Sequence, residues 1–277
     1  MAVWWLLYDK RDIERNKEYI GMYFTACRQR GISLTLMTEE DLSVSVSNTR
    51  TIFMNRGEEL DFPDAVMNRT RSFHLAKRLE LLGCRVFNNS DVTLLGNDKE
   101  LALSYVKGLG IDIMPYRAGA DFGFDRFPCV MKSVDGHGGT EVFWVDGRET
   151  FASLRGKFPG RRCIWQEPAA DIGKDLRVYV IGNQVVASML RTSKTDFRSN
   201  FCLGGEAHPY RLLPEEEKIV GRILESLRID FGGIDFIFHQ GKLIFNEIED
   251  VVGARMLYAY TDMDVVELFV SHILENM

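Results

Sequence analysis

The 277-residue chain is 45% hydrophobic and 27% charged, an ordinary globular composition whose length suits one large or two modest domains with real cores. Its net charge of −6 is too mild to draw a nucleic acid by bulk electrostatics, and no apolar run approaches membrane-spanning length. The start "MAVWWLLYDKRD" turns charged after six apolar residues, so no signal peptide is expected; the five dispersed cysteines (Cys27, Cys84, Cys129, Cys163, Cys202) read as reduced thiols of a cytoplasmic protein, with no zinc-site spacing.

"VWWLLY" (3–8) reads as a short strand, "RDIERNKEYIGMYFTACRQRG" (11–31) as a helix stopping at Gly31, and "SLTLMT" (33–38) as an alternating strand. "DAVMNRTRSFHLAKRLELLGCRVFNN" (64–89) repeats the pattern: strand, helix, Gly83, strand. Strands separated by single helices predict a parallel sheet with covering helices, so residues 1–91 are expected to form a small doubly wound α/β domain. No glycine-rich dinucleotide fingerprint follows the first strand, which argues against a nicotinamide enzyme. "GNDKELALSYVKGLG" (96–110) is the next helix, with Asn97 as its cap and Glu100 closing a capping box. Lys99 then falls in the first turn, where orphan amides and the helix dipole favour an anion; a solvated lysine explains the same residue.

From there the grammar changes. "FPCVMKSVDGHGGTEVFWV" (127–145) reads as strand, glycine loop, strand, and "CIWQEPAADIGKDLRVYVIGNQVVASMLR" (163–191) supplies three more strands. "PEEEKIVGRILESLRI" (214–229) is a helix opened by a proline and three acids, followed by the hairpin "GGIDFIFHQGKLIFNEIED" (232–250) and a last helix, "DMDVVELFVSHILENM" (262–277). This half is antiparallel sheet plus helices, an α+β arrangement.

Several segments carry candidate chemistry. Lys132 ends a strand just before "GHGG", where glycines let backbone amides approach a phosphate and the lysine supplies charge; a hairpin turn with Lys132 reaching solvent explains it equally well. "WQEPAAD" runs a strand into a proline, freeing backbone groups that can read a purine, with Asp175 beyond it for a ribose hydroxyl. "RTSKTDFRSN" sets Arg191, Lys194 and Arg198 close together, with Arg177 on a preceding strand, a set that can hold phosphates or a carboxylate. In "LIFNEIE", Glu247 and Glu249 share one face of a strand while Asn246 and Ile248 take the other. A two-residue loop, Gln240–Gly241, would set Asp235 opposite Asn246; a three-residue loop, Gln240 to Lys242, with Gly241 or a bulge relieving the turn, would set it opposite Glu247. Three acids on one face, with oxygen ligands only, favour Mg²⁺ or Mn²⁺.

Together and in this order, these segments resemble the ATP-grasp superfamily, most closely its RimK-like (ribosomal-protein glutamate ligase-like) branch. The resemblance implies a pre-ATP-grasp α/β domain (1–91), a linker helix and small subdomain with the glycine loop (92–165), and a C-terminal subdomain with the metal hairpin (166–277), ATP lying between the last two. It implies phosphate lysines Lys99 and Lys132, adenine read at Gln166, Glu167 and Pro168, Asp175 on the ribose, and Arg177 facing the phosphates or acceptor. "DFRSN" places Arg198, Ser199 and Asn200 near the triphosphate, and Asp235, Glu247 and Glu249 become the ligands of Mg²⁺ or Mn²⁺, with Lys132 and Arg198 acting in catalysis. The implied activity joins a carboxylate to an amine through an acyl phosphate, on small molecules or a peptide or protein acceptor, in a homo-oligomer. A kinase on the same sites, or a silent nucleotide-binding module, are the alternatives. One departure is plain: where the family's metal strand reads Glu-x-Asn before a Ser-Pro-Gly turn, this chain has Glu247-Ile-Glu249, then "DVVGARML" with Arg255.

Overall fold

The computed structural model describes residues 1–119, 126–194, 196–198 and 206–277. The chain opens with β1 (Ala2–Tyr8), α1 (Lys10–Ile13), a 3₁₀ turn (Glu14–Asn16), α2 (Lys17–Gln29) and β2 (Ile32–Met37). The single helix expected over 11–31 is therefore split, and Gly31 closes it at φ 68°. Next come β3 (Leu42–Val46), β4 (Thr51–Asn55) and β5 (Glu58–Leu60), then β6 (Ala65–Arg69), α3 (Phe73–Leu81) and β7 (Val86–Phe87). Strands β2-β1-β6-β7 form the expected parallel sheet, in that order. Its central strand is covered on both faces: Trp4, Leu6 and Tyr8 enter one core, Trp5 and Leu7 another, which is why "VWWLLY" reads as a continuous apolar run. The three-stranded antiparallel sheet β3-β4-β5 was not expected, although "LSVSV" carries its period-2 signal.

Two helices then abut, α4 (Ser90–Asn97) and α5 (Lys99–Gly108). The cap of α5 is Asp98 rather than Asn97: its extended backbone (φ −136°, ψ 97°) breaks the helix, and its Oδ1 accepts from the Leu101 amide at 2.9 Å. Asn97 instead ends α4, donating to Thr93 and to Asp250 Oδ2, while Glu100 pairs with Arg162 and closes no capping box. Lys99 still opens the helix.

β8 (Tyr116–Ala118), β9 (Cys129–Ser133), β10 (Val142–Val145), α6 (Arg148–Lys157) and β11 (Cys163–Gln166) follow. The strands form an antiparallel sheet, β10-β9-β11-β8. Leu154 of α6 packs on Cys129, Met131, Val145 and Trp165, leaving Val130 and Lys132 for the opposite face. The last unit comprises β12 (Lys174–Ile181), β13 (Gln184–Thr192), β14 (Glu206–Pro209), α7 (Pro214–Ser226), β15 (Phe231–His239), β16 (Lys242–Glu249), α8 (Arg255–Tyr260) and α9 (Val265–Glu275). Its sheet runs β14-β13-β12-β15-β16, antiparallel throughout.

Alternation along β12 determines what the rest of the molecule can do. Leu176, Val178 and Val180 enter a core with Ala102 and Leu103 of α5 and Val220 and Ile223 of α7. On the other face Tyr179 and Ile181 pack with α9 and with α2, joining the last unit to the first, while Asp175 and Arg177 are charged. One strand face is thus half core and half polar floor. Asn88 ties the units further: its amide donates to the Phe231 and Asp250 carbonyls (2.6 and 2.9 Å) and accepts from the Asp230 and Phe231 amides (3.0 and 2.8 Å). The architecture is the one expected: a small parallel α/β unit followed by antiparallel sheets with helices.

Candidate active site

The sheets β8–β11 and β12–β16 border a cleft. Lys99, Lys132, Gln166, Glu167, Pro168, Asp175, Arg198 and Glu247 all line it, although they come from segments spread over most of the chain. Arg177, Asp235 and Glu249 are not on its wall; they meet beside Glu247 at the buried end of the hairpin. Ser199 and Asn200 lie outside the described residues.

Neither lysine is a solvated surface group. Lys99 is 9% exposed, and its Nζ lies 3.2 Å from Glu247 Oε2 while also donating to the Gly136 carbonyl. Lys132 Nζ donates to Asn246 Oδ1 at 2.7 Å, and burial pushes it down to about 8 against the opposing pull of Glu247. The glycine loop between them is crowded by design of its side chains: a Cβ on Gly136 would fall 2.2 Å from Ser133 Oγ, and Gly138 and Gly139 take φ of 64° and 74°. Arg198, gripped by Asp196 at 2.7 Å, donates to the Gly139 carbonyl at 2.8 Å and so ties the far end of the loop.

At the other end of the cleft, Gln166 is buried and donates to the Met114 carbonyl at 3.4 Å. The Glu167 amide is engaged by the Pro115 carbonyl at 2.8 Å and Pro168 has no N–H, so the edge this stretch offers a base is the Glu167 carbonyl, an acceptor for an exocyclic amine. Trp144 and Phe197, ring centroids 5.6 Å apart, also line the cleft. Sequence reasoning passed over both; the only signal was an aromatic next to each flagged loop.

The acids are held by arginines. Arg177 sits opposite Asp235 in register, donating from Nε to Oδ1 (2.7 Å) and from Nη2 to Oδ2 (2.6 Å), and from Nη2 again to Glu249 (2.9 Å). Arg191 donates to Asp235 (2.7 Å) and to Asp175 (2.5 Å), so it is not the phosphate-holding neighbour of Lys194 and Arg198 that its sequence position suggests. Burial pushes the Asp235 carboxyl up, but Arg177 and Arg191 outweigh it and bring it to about 2. Glu247, also pushed up by burial, ends below the usual carboxylate range because of Lys99. Glu249 ends above it: burial and the charges of Glu247 and Asp235 prevail over Arg177.

The hairpin reaches this arrangement by a route that loop length alone does not show. His239 pairs with Lys242, so the loop is the two residues Gln240 and Gly241, both at positive φ. The register then slips: Phe236 pairs with Phe245, but Asp235 pairs with Glu247, leaving Asn246 bulged. The bulge brings Asp235 opposite Glu247 and turns Asn246 to Lys132, whereas Ile248 stays in the core; the expected sharing of one face by Asn246 and Ile248 does not hold. One oxygen each from Asp235, Glu247 and Glu249 lies within 4.8 Å of the others. An all-oxygen set of this charge fits a hard divalent cation, with Glu247 and Glu249 the two whose side chains retain about a quarter of their exposure, 25% and 24%.

Fold and cleft together define an ATP-grasp ligase that forms carbon–nitrogen bonds, a carboxylate–amine ligase. The RimK-like ATP-grasp domain model matches residues 121–273, more than half the chain, and the chain belongs to that family. A probable alpha-L-glutamate ligase of Maridesulfovibrio salexigens is 26% identical over 91% of this chain and 89% of its own length. Among solved structures, the VanG D-Ala:D-Ser ligase of Enterococcus faecalis superposes with a TM-score of 0.76 at 13% identity, covering 99% of this chain and 98% of that one. The macrocyclase MdnC of Microcystis aeruginosa, bound with precursor peptide MdnA, gives 0.70 at 18% identity, covering 100% of both. Among the described residues, no helix is long and apolar enough to cross a membrane.

Proposed function

We propose that this ligase uses ATP with Mg²⁺ or Mn²⁺ to join the carboxylate of an amino acid or peptide to an amine through an acyl phosphate. The observation that supports this most is the convergence of two lysines from one side of the cleft, Lys99 and Lys132, on Glu247 and the bulged Asn246 of the hairpin. A phosphate chain and its cation taken up between these groups would meet the lysines on one side and the acids on the other.

Glu247 and Glu249, with Asp235 from beneath, would hold the metal, which supplies positive charge to the phosphates. The substrate carboxylate oxygen attacks the γ-phosphorus and ADP departs; Lys99, Lys132 and Arg198 offset the charge developing there. The amine nitrogen then attacks the acyl carbon, the carbon–oxygen bond to phosphate breaks, and the displaced N–H proton leaves with inorganic phosphate. The glycine loop, tied by Lys99 at one end and Arg198 at the other, keeps water from the acyl phosphate. Glu167 would offer its carbonyl to the adenine amine, Trp144 and Phe197 their ring faces, and Asp175 at the cleft wall, held by Arg191, would accept from a ribose hydroxyl. The glutamate ligase relative supports an amino acid among the substrates, and the macrocyclase supports a peptide.

The test is ADP release from purified protein with Mg-ATP over pooled amino acids and small carboxylic acids, with and without amines. ADP that needs both an acid and an amine supports the reading. ADP with an acid and a stable phosphorylated product, independent of amine, would replace it by a kinase.

A further inference from the structure

The glycine loop is tied from two sides. Inside the cleft, Lys99 donates to the Gly136 carbonyl and Arg198 to the Gly139 carbonyl at 2.8 Å. Both side chains line the cleft, so a triphosphate taken up there competes with the loop for the same donors. The loop then loses its inner ties at the moment when it has to cover the reaction.

On the outer side, Arg161 meets both stems of the loop. Its Nη1 donates to Glu141 Oε1 (2.6 Å), and its Nη2 to Glu141 Oε2 (2.9 Å) and to Asp135 Oδ1 (2.7 Å). Glu141 Oε2 also accepts from the Ser133 hydroxyl, at the end of β9. The guanidinium lies over the Phe158 ring, 5.6 Å from its centroid. A single ion pair as exposed as this one, 38% at the Arg161 side chain, would contribute little. A fork shared by two acids and stacked on a ring has a fixed direction, and that is what positioning requires. Arg161 is not on the cleft wall, so a nucleotide does not draw it away.

The next residue serves the other phosphate-binding element. Arg162 donates to Asp98 and to Glu100, both at 2.6 Å, on either side of Lys99 at the start of α5. Its carbonyl accepts from the Val134 amide (3.0 Å), and the Val134 carbonyl from the Lys99 amide (3.1 Å). The turn between α6 and β11 thus fixes the glycine loop and Lys99 relative to one point.

We propose that Arg161 is a positioning residue for the ligase reaction, holding the glycine loop over the phosphates when Lys99 and Arg198 turn from loop carbonyls to the nucleotide, and so keeping water from the acyl phosphate. The proposal deepens the reading above and rests on it. Arg162 keeps Lys99 in register with the loop.

Hydroxylamine as the amine, with Mg-ATP and pooled small carboxylic acids, reads loop closure as hydroxamate formed per ADP released. Arg161→Gln should raise KM for Mg-ATP on the order of 10-fold, as for a lost charge-assisted hydrogen bond, and change kcat for ADP release less than about 3-fold. Its hydroxamate yield per ADP should fall at least about 3-fold as water takes the acyl phosphate. Glu141→Gln, which breaks the same fork from the loop side, should show the same split, and Arg161→Lys, with charge but no fork, should fall between. Wild-type KM and yield in the Arg161 and Glu141 variants, or a fall in kcat alone, would overturn the positioning role. Hydrogen exchange with Mg-AMPPNP tests it apart from the ligase reading: nucleotide should protect the amides of 135–141 in wild type but not in Arg161→Gln, with β9 and β11 protected in both. Equal protection of the loop in the two proteins would overturn the proposal, whereas absence of hydroxamate from wild type with every acid would overturn the ligase reading and leave the exchange result to decide the role of Arg161.

Discussion

Two groups of buried arginines sit on opposite sides of the interface between the first and last units, and they are built on different plans. Arg177 and Arg191, on neighbouring antiparallel strands, face Asp175, Asp235 and Glu249, so each guanidinium is met by protein carboxylates. Arg69, at the end of a parallel strand, has tyrosines and a carbonyl for company. The first group is complete by itself: the acids that look extravagant in the hairpin are neutralised by cations of the same chain, with Lys99 and Lys132 meeting the outer end of the cluster. The second has no carboxylate partner among the described residues.

Substitutions can break that contrast. The largest effect is expected at the outer edge of the compensated cluster: Glu247→Gln should lower turnover by about 10³-fold in an ADP-release assay with little change in the unfolding midpoint. Wild-type turnover in that variant would remove Glu247 from the machinery. Arg177→Met should cost about 3–5 kcal/mol in denaturant unfolding, because it removes the cation of Glu249 and leaves Asp235 with Arg191 alone. Asn88→Ala, which unpairs four backbone groups between the first and last units, should cost about 2–3 kcal/mol by the same measurement. Arg69→Met should cost no more than about 1 kcal/mol, since no acid is abandoned; a loss as large as that of Arg177→Met would erase the distinction between the two groups.

The smallest effect concerns Lys132. Its charged form is disfavoured by burial, holding it at about 8, below its ordinary value, and a bound triphosphate would favour that form again. Nucleotide binding should therefore take up as much as about one proton near pH 9, with uptake fading below pH 7, where Lys132 is already charged. Calorimetry in buffers of different ionisation enthalpy reads this directly, and uptake independent of pH would contradict it.

Much of this was legible along the chain. The apolar run of β1, the strands on either side of the glycine loop and the acid-headed helix α7 are local signals that survive in the fold, because burial of one or both faces enforces them. The order of the phosphate-type lysines, the glycine loop and the acid hairpin was equally visible, and these do meet in one cleft. The cap of α5 was misplaced by one residue, since Asn97 and Asp98 are both good caps and only the backbone break at Asp98 distinguishes them. The sheet β3-β4-β5 was missed although β3 alternates, because its partners β4 and β5 are short and of mixed polarity.

Residue types and their spacing, by themselves, determined which groups could do chemistry here and in which kind of layered fold. Their pairing was decided only in three dimensions. Asp235 faces Glu247 because a bulge at Asn246 undoes the register that the two-residue loop would impose, and Arg177 finds Asp235 across strands separated by 58 positions. The physical reason is the range of the forces: side-chain alternation is written into neighbouring backbone dihedrals, whereas the partner of a buried charge is chosen by the whole set of charges that must be desolvated together.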